Sequence, residues 1–235
     1  MDWAGYVATL EARVEALRLS RRYHVLFDLY SGMHPDTPWQ LEYDLHTAPG
    51  QEHIRISDEL RTFYLVTDGF DLSWSLLTEG ARRWQRVRQG DQEVTVSYGP
   101  PAGVAQIAGL PELYVPLIDG GPGGRNLPDT ALYEGYRTLD SLSAEDRVAV
   151  RFFPDRQEPV LFYHRHDTDR YHPLSLDFTA YMELLLEARA LKGWQQFFIA
   201  DPAYEVEPAW MEWFHANLAR LFPDADASRF RRVPT

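Results

Sequence analysis

The segment Ser57-Asp58-Glu59-Leu60-Arg61-Thr62-Phe63-Tyr64-Leu65-Val66-Thr67-Asp68-Gly69-Phe70-Asp71-Leu72-Ser73-Trp74 constrains the fold more than any other part of the chain. Ser57 offers a side-chain acceptor to the free N–H groups of a helix start, and Asp58 and Glu59 suit its positive end. Leu60, Phe63, Tyr64 and Thr67 fall on one helical face. Gly69 then stands where a helix stop favours a left-handed residue, a conformation glycine adopts without a Cβ clash. Phe70, Leu72 and Trp74 alternate immediately afterwards, the period of a strand with one buried face. The spacing predicts a short helix, a glycine turn and a strand.

Around this segment the chain runs helix, strands, helices. Trp3, Val7, Leu10, Val14 and Leu17 recur at a 4-3-4-3 spacing, which predicts an amphipathic helix over residues 1–20. Two heptads fall short of a coiled coil, so the helix is expected to pack on its own domain. Val25, Phe27 and Leu29, then Trp39, Leu41, Tyr43 and Leu45, alternate on either side of Gly32, Pro35 and Pro38, predicting a hairpin over 23–46. Residues 78–109 are polar and arginine-rich and read as a loop or strand excursion, with Val94 and Val96 in an edge strand. Tyr114–Ile118 reads as a short strand. Val148–Phe153 and Val160–Tyr163 flank a turn-rich loop, which predicts a second hairpin. Phe178, Tyr181, Met182 and Leu185 mark one further helix, ended by Gly193. Pro208 opens the last, with a stripe of Trp210, Trp213, Phe214, Asn217, Leu218 and Leu221. Residues 223–235 read as a basic, fraying tail. This order predicts one α+β domain over roughly 20–222, with a central mixed or antiparallel sheet flanked by helices.

Composition narrows the chemistry. Apolar residues make up 45% and aromatics 14%, ample for a core. No cysteine is present, which removes disulfides, thiolate metal sites and cysteine nucleophiles together. The net charge of −12 repels phosphate backbones, so nucleic acid is not an expected partner and a basic protein is. No apolar run approaches the ~18 residues of a membrane span. The first residues lack a basic region followed by an apolar one, so no signal peptide is expected and a cytoplasmic protein is the default.

Catalytic motifs are sparse. Gly120-Gly121-Pro122-Gly123-Gly124-Arg125 lacks the Lys-Ser/Thr of a phosphate loop, and no periodic helix opens after it, so it reads as a structural turn. His164, His166 and His172 lie near Asp167 and Asp169, and a His-x-His pair on a strand shares one face. Arg165 and Arg170 crowd the same stretch, which reads as a solvated turn, so no metal and no cofactor are expected. Residues 112–187 hold 14 acidic and 7 basic residues, more negative than the chain average. Such a face would speed association with a basic partner. Asp119, Asp129, Glu134, Asp167 and Asp169 are its expected contacts, because Gly, Pro or polar neighbours place them in exposed loops. Tyr133 and Tyr136 are the nearest aromatic anchors.

Leu60, Phe63, Tyr64, Thr67-Asp68-Gly69-Phe70 and Leu72-Ser73-Trp74 together resemble the signature of the SUKH superfamily, which includes the yeast cell-wall assembly regulator. Leu176-Asp177-Phe178-Thr179-Ala180-Tyr181 resembles the helix that closes that fold, and Trp194–Phe198 continues the likeness, so that residues 50–200 are bracketed. Where the family usually carries Leu-Pro before the first helix, this chain has Ile56-Ser57. The resemblance implies a single α+β domain and a non-enzymatic binding module. Many bacterial members resemble immunity proteins that neutralise a toxin, while eukaryotic relatives are scaffold or regulatory subunits. Leu60, Phe63, Tyr64, Asp68, Gly69, Trp74 and Phe178 are expected to be structural. The leading expectation is a protein that covers a basic toxin domain. A scaffold subunit comes second and a metal-dependent hydrolase using the histidines third.

Overall fold

Helix α1 (Trp3–Leu19) opens the chain in a computed structural model that describes residues 1–40, 42, 54–77, 83–89, 92–98, 102–110, 113, 135–143, 146–165 and 170–232. The Asp2 carboxylate caps it, accepting from the Gly5 N–H at 3.0 Å. Its buried stripe is Trp3, Tyr6, Leu10, Val14 and Leu17. Tyr6 takes the place expected of Val7, because its phenol reaches the core and donates to the Met182 carbonyl at 3.1 Å. Trp3 meets Phe63 edge-on at 5.0 Å, so α1 packs on its own domain.

The expected hairpin over 23–46 does not form among the described residues. Strand β1 (Tyr23–Ser31) pairs instead with β2 (Thr67–Leu76), antiparallel. Pro35 and Pro38 have no N–H to give a ladder. Residues 37–40 are helical, with the Gln40 N–H donating to the Asp36 carbonyl, and the Arg61 guanidinium lies 3.7 Å over the Trp39 ring. Leu41, Tyr43 and Leu45 lie outside the described residues.

Helix α2 (Asp58–Val66) is capped by the Ser57 hydroxyl and buries Leu60, Phe63 and Tyr64, as its spacing predicts. It passes into β2 without a glycine turn. Thr67 is already extended (φ −148°, ψ 138°), and Gly69 lies three residues into the strand. The positive φ expected of Gly69 is present, at +91°. Its role differs from the expected helix stop. The kink brings the backbone against β5 (Ala102–Ile107), where any Cβ would overlap the Ile107 carbonyl oxygen.

The main sheet has seven strands in the order β1-β2-β5-β6-β7-β8-β9, every pairing antiparallel. Its later members are β6 (Tyr136–Ser141), β7 (Asp146–Arg151), β8 (Val160–Arg165) and β9 (Tyr171–Pro173). The hairpin expected around residues 154–159 is β7–β8. Within the excursion, β3 (Arg83–Gln89) and β4 (Gln92–Tyr98) form a separate two-stranded sheet that holds Val94 and Val96. Its last strand, β5, lies inside the main sheet, which the sequence did not signal. Tyr114–Ile118 and Gly120–Gly124 lie outside the described residues.

One face of the sheet shares a core with the helices. Asp177 caps α3 (Phe178–Glu187) by accepting from the Ala180 N–H at 2.7 Å, and the predicted stripe Phe178, Tyr181, Met182 and Leu185 is buried. Trp74 and Phe178 are both 2% exposed and belong to this one core. The Trp74 Nε1–H donates to the Arg189 carbonyl at 2.6 Å, and the indole covers Gly103, where a Cβ would collide with it. In α4 (Pro208–Leu221) the buried residues are Ala209, Phe214, Leu218 and Leu221, while Trp210 and Trp213 stack on each other at 4.6 Å. As far as Arg232 the expected fraying is not seen: Phe230 is fully buried, and Arg232 donates to the carbonyls of Gln196 and Tyr204. The molecule is thus an α+β domain with an antiparallel sheet. No helix among the described residues is long and apolar enough to cross a membrane.

Candidate partner-binding face

Strand residues alternate between the two faces of a sheet. Burying Tyr23 on the core side turns His24, Leu26, Asp28 and Tyr30 to the other, where all four are exposed. In β2, Phe70, Leu72 and Trp74 face the core, so Asp71, Ser73 and Ser75 share the outer face with the four β1 residues. Register then sets Ser75 beside His24, Ser73 beside Leu26, and Asp71 beside Asp28.

Two carboxylates directly across an antiparallel ladder repel, since paired Cβ atoms lie ~4.5–5.5 Å apart. The Tyr30 phenol donates to Asp71 Oδ2 at 2.7 Å, which satisfies one oxygen and adds no positive charge. Among the described residues no cation pairs with Asp28 or Asp71. Leu26 is 58% exposed and Tyr30 44%, so an apolar and an aromatic side chain flank the acidic pair. At the end of the same two strands Leu77 is also exposed. The arrangement is a strand-borne surface with large side chains in the middle and negative charge that no cation among the described residues offsets.

A second acidic concentration has a structural account. Glu158 and Asp177 line an open cleft of about 590 Å³ with Arg156 and Ser175. Burial raises the Glu158 carboxyl, the Ser57 hydroxyl opposes that shift, and Glu59 and Asp177 reinforce it. Asp177 caps α3, Ser57 caps α2 and Glu59 lies in the first turn of α2. Helix starts favour negative groups, so these residues are placed by capping.

Of the contacts expected from sequence, Asp119, Asp129, Tyr133, Glu134, Asp167 and Asp169 lie outside the described residues, as does His166. Tyr136 is described, 9% exposed, stacked on Tyr171 at 3.9 Å and edge-on to Phe162 at 5.1 Å. It belongs to a small buried cluster with Ala149 and Phe162 on the face away from the main core. His164 and His172 lie in strands rather than in a solvated turn. His164 lies in β8 opposite Tyr171 of β9, whereas His172 is opposite Tyr163. The two rings therefore point to opposite faces, both buried, and His172 Nδ1 lies 2.8 Å from Asp201 Oδ2. Among the described residues no group of three or more His, Asp or Glu side chains is placed to hold a metal. Leu60, Phe63, Tyr64, Gly69, Trp74 and Phe178 are core or backbone-fitting residues, and the Asp68 carboxylate accepts from the Leu110 N–H at 2.8 Å.

The sequence reading missed Leu26, Asp28, Tyr30 and Asp71. The alternation that buries Phe70, Leu72 and Trp74 already turned Asp71 outward, but its neighbour across the ladder comes from a strand some 40 residues earlier. Comparison with known proteins gives no match to any family model, any curated protein or any solved structure.

Proposed function

We propose that this chain is a protein-binding module that acts by covering a basic surface of its partner, as an immunity protein covers a toxin. The observation that carries the reading is the Asp28–Asp71 pair across the β1–β2 ladder, flanked by exposed Leu26 and Tyr30. An Arg or Lys from a partner would relieve the repulsion, and the two large side chains supply contact area of the kind that dominates interface energy. No chemical step is required. The SUKH resemblance supplies the immunity reading. Its two matched segments pack together in this fold, with Phe63 meeting Phe178 at 5.3 Å.

The test is capture from the source cells with wild-type protein and with a D28K/D71K double variant, at low and high salt. A basic protein retained by wild type, lost by the variant and weakened by salt supports the reading. If expressing the captured protein halts growth and co-expressing this chain restores it, the immunity role follows, and a growth-neutral partner indicates a scaffold. Equal retention by both proteins overturns the assignment of this face.

A further inference from the structure

The seven-stranded sheet is two half-sheets joined at a narrow seam. Six residue pairs link β2 to β5 and six link β7 to β8, but β5 and β6 share the single register pair Ile107–Asp140. Beside it the Ala108 N–H donates to the Leu139 carbonyl at 2.9 Å. Further along β5 the turn after α3 takes the place of a neighbouring strand. The Val104 N–H donates to the Ala190 carbonyl, and the Lys192 N–H to the Ala102 carbonyl.

The seam is completed by a side chain. Asp140 is fully buried. Its Oδ1 accepts from the Gln106 N–H of β5 at 2.8 Å, where a ladder bond would otherwise lie. Its Oδ2 accepts from the Tyr181 phenol of α3 at 2.6 Å, and Gln195 Nε2 donates to that phenol oxygen at 3.3 Å. The Gln195 Oε1 atom is buried and has no hydrogen-bond partner among the described residues. Among the described residues the titratable groups that act on Asp140 are the phenols of Tyr181 and Tyr6 and, from β2, the Asp71 carboxylate, none of them a cation. A buried carboxylate without a cation is costly, so the neutral acid is favoured there.

The chain of bonds can run in two directions. With Asp140 ionised, donation runs Gln195 to Tyr181 to Asp140. With Asp140 protonated, its O–H donates to the phenol oxygen, the phenol donates to Gln195 Oε1 after a flip of the amide, and every direction reverses. We propose that Asp140, Tyr181 and Gln195 form a proton-operated latch on the β5–β6 seam, closed when the carboxyl is protonated and loosened when it ionises. Burial raises the Asp140 carboxyl from 3.8 to about 6, against the pull of the Tyr181 and Gln106 bonds and with a further push from Asp71. Between those pH values the folded protein keeps a proton that the unfolded chain has released. Stability from this group therefore falls as pH rises through that window.

The test compares wild type with D140N, whose amide reproduces the neutral acid. The folding constant of wild type relative to D140N should fall on the order of a hundredfold between pH 4 and pH 7. The Gln106 and Ala108 amides of wild type should lose exchange protection with pH, relative to β7 and β8 and after correction for intrinsic rates, while those of D140N should not. Infrared spectra of wild type provide a check that needs no stable D140N. A buried protonated-carboxyl band should titrate away near pH 6, and in Y181F, where the bond favouring the carboxylate is gone, at higher pH. Parallel pH profiles for wild type and D140N, or no such band at pH 4.5, would overturn the latch.

Discussion

The outer face of one continuous sheet is built in two different ways. On β1 and β2 it carries Leu26, Asp28 and Tyr30, all exposed, with a like-charge pair that no cation among the described residues neutralises. On β6 to β8 the same face carries Tyr136, Ala149 and Phe162, all buried, under the Arg151 guanidinium that lies 5.1 Å from the Tyr136 ring. A large side chain on the second half holds the fold together, whereas Leu26 on the first half is 58% exposed and contributes little to it. Acidic composition alone does not distinguish these regions. The cleft beside Glu158 also gathers carboxylates, yet helix starts account for Asp177 and Glu59 there.

The largest effect expected is on the buried half. Truncating Phe162 to Ala removes a ring that meets Tyr136 edge-on and should destabilise the protein by ~3–4 kcal/mol. The matching change on the exposed half, Leu26→Ala, should stay within ~0.5 kcal/mol. Denaturant midpoints compare the two, and a similar cost for both would erase the distinction between the halves.

Gly69→Val should come next, at ~2 kcal/mol or more. A β-branched residue is strained at φ +91°, and its Cβ would press on the Ile107 carbonyl where β2 meets β5. The loss should be specific to that join. Amide exchange should rise first in β2 and β5 and leave β7–β8 protected. An unchanged midpoint would show that the close approach at Gly69 carries no weight.

Much of the helix-covered face was legible in the sequence. The period that places Leu60, Phe63 and Tyr64 on one side of α2, or Phe178, Tyr181 and Met182 on one side of α3, repeats within a dozen residues, and local repetition is what a sequence shows. The β7–β8 hairpin was legible because its turn and both strands are contiguous. The sheet's middle was not. In β5 the sequence Ala102-Gly103-Val104-Ala105 reads as neutral, because Gly103 is small to admit the Trp74 indole from another strand. In β6 two of the buried residues are Arg137 and Asp140, so apolar alternation is broken where the strand is most enclosed. The acidic pair of the candidate face was invisible for a related reason. Asp28 and Asp71 are ordinary surface carboxylates until the register of β1 on β2 sets them side by side.

The smallest effect expected is the one most diagnostic of the exposed half. If Asp28 and Asp71 repel across the ladder, removing one charge should stabilise the isolated protein. Asp28→Asn should gain a few tenths of a kcal/mol, and Asp28→Lys ~0.5 kcal/mol, because it adds an attraction to the relief of a repulsion. Both gains should shrink as salt rises, since exposed charges are screened over ~10 Å at 0.1 M. The same substitutions should slow association with a basic partner, so stability and binding would move in opposite directions. A residue kept for the fold does not behave that way, as its loss costs stability. Thermal midpoints of wild type, D28N and D28K at 20 mM and 500 mM salt measure the first half of this. A loss of stability in D28N at low salt would mean that Asp28 serves the fold, and the proposed contact would then have to be sought elsewhere on the molecule.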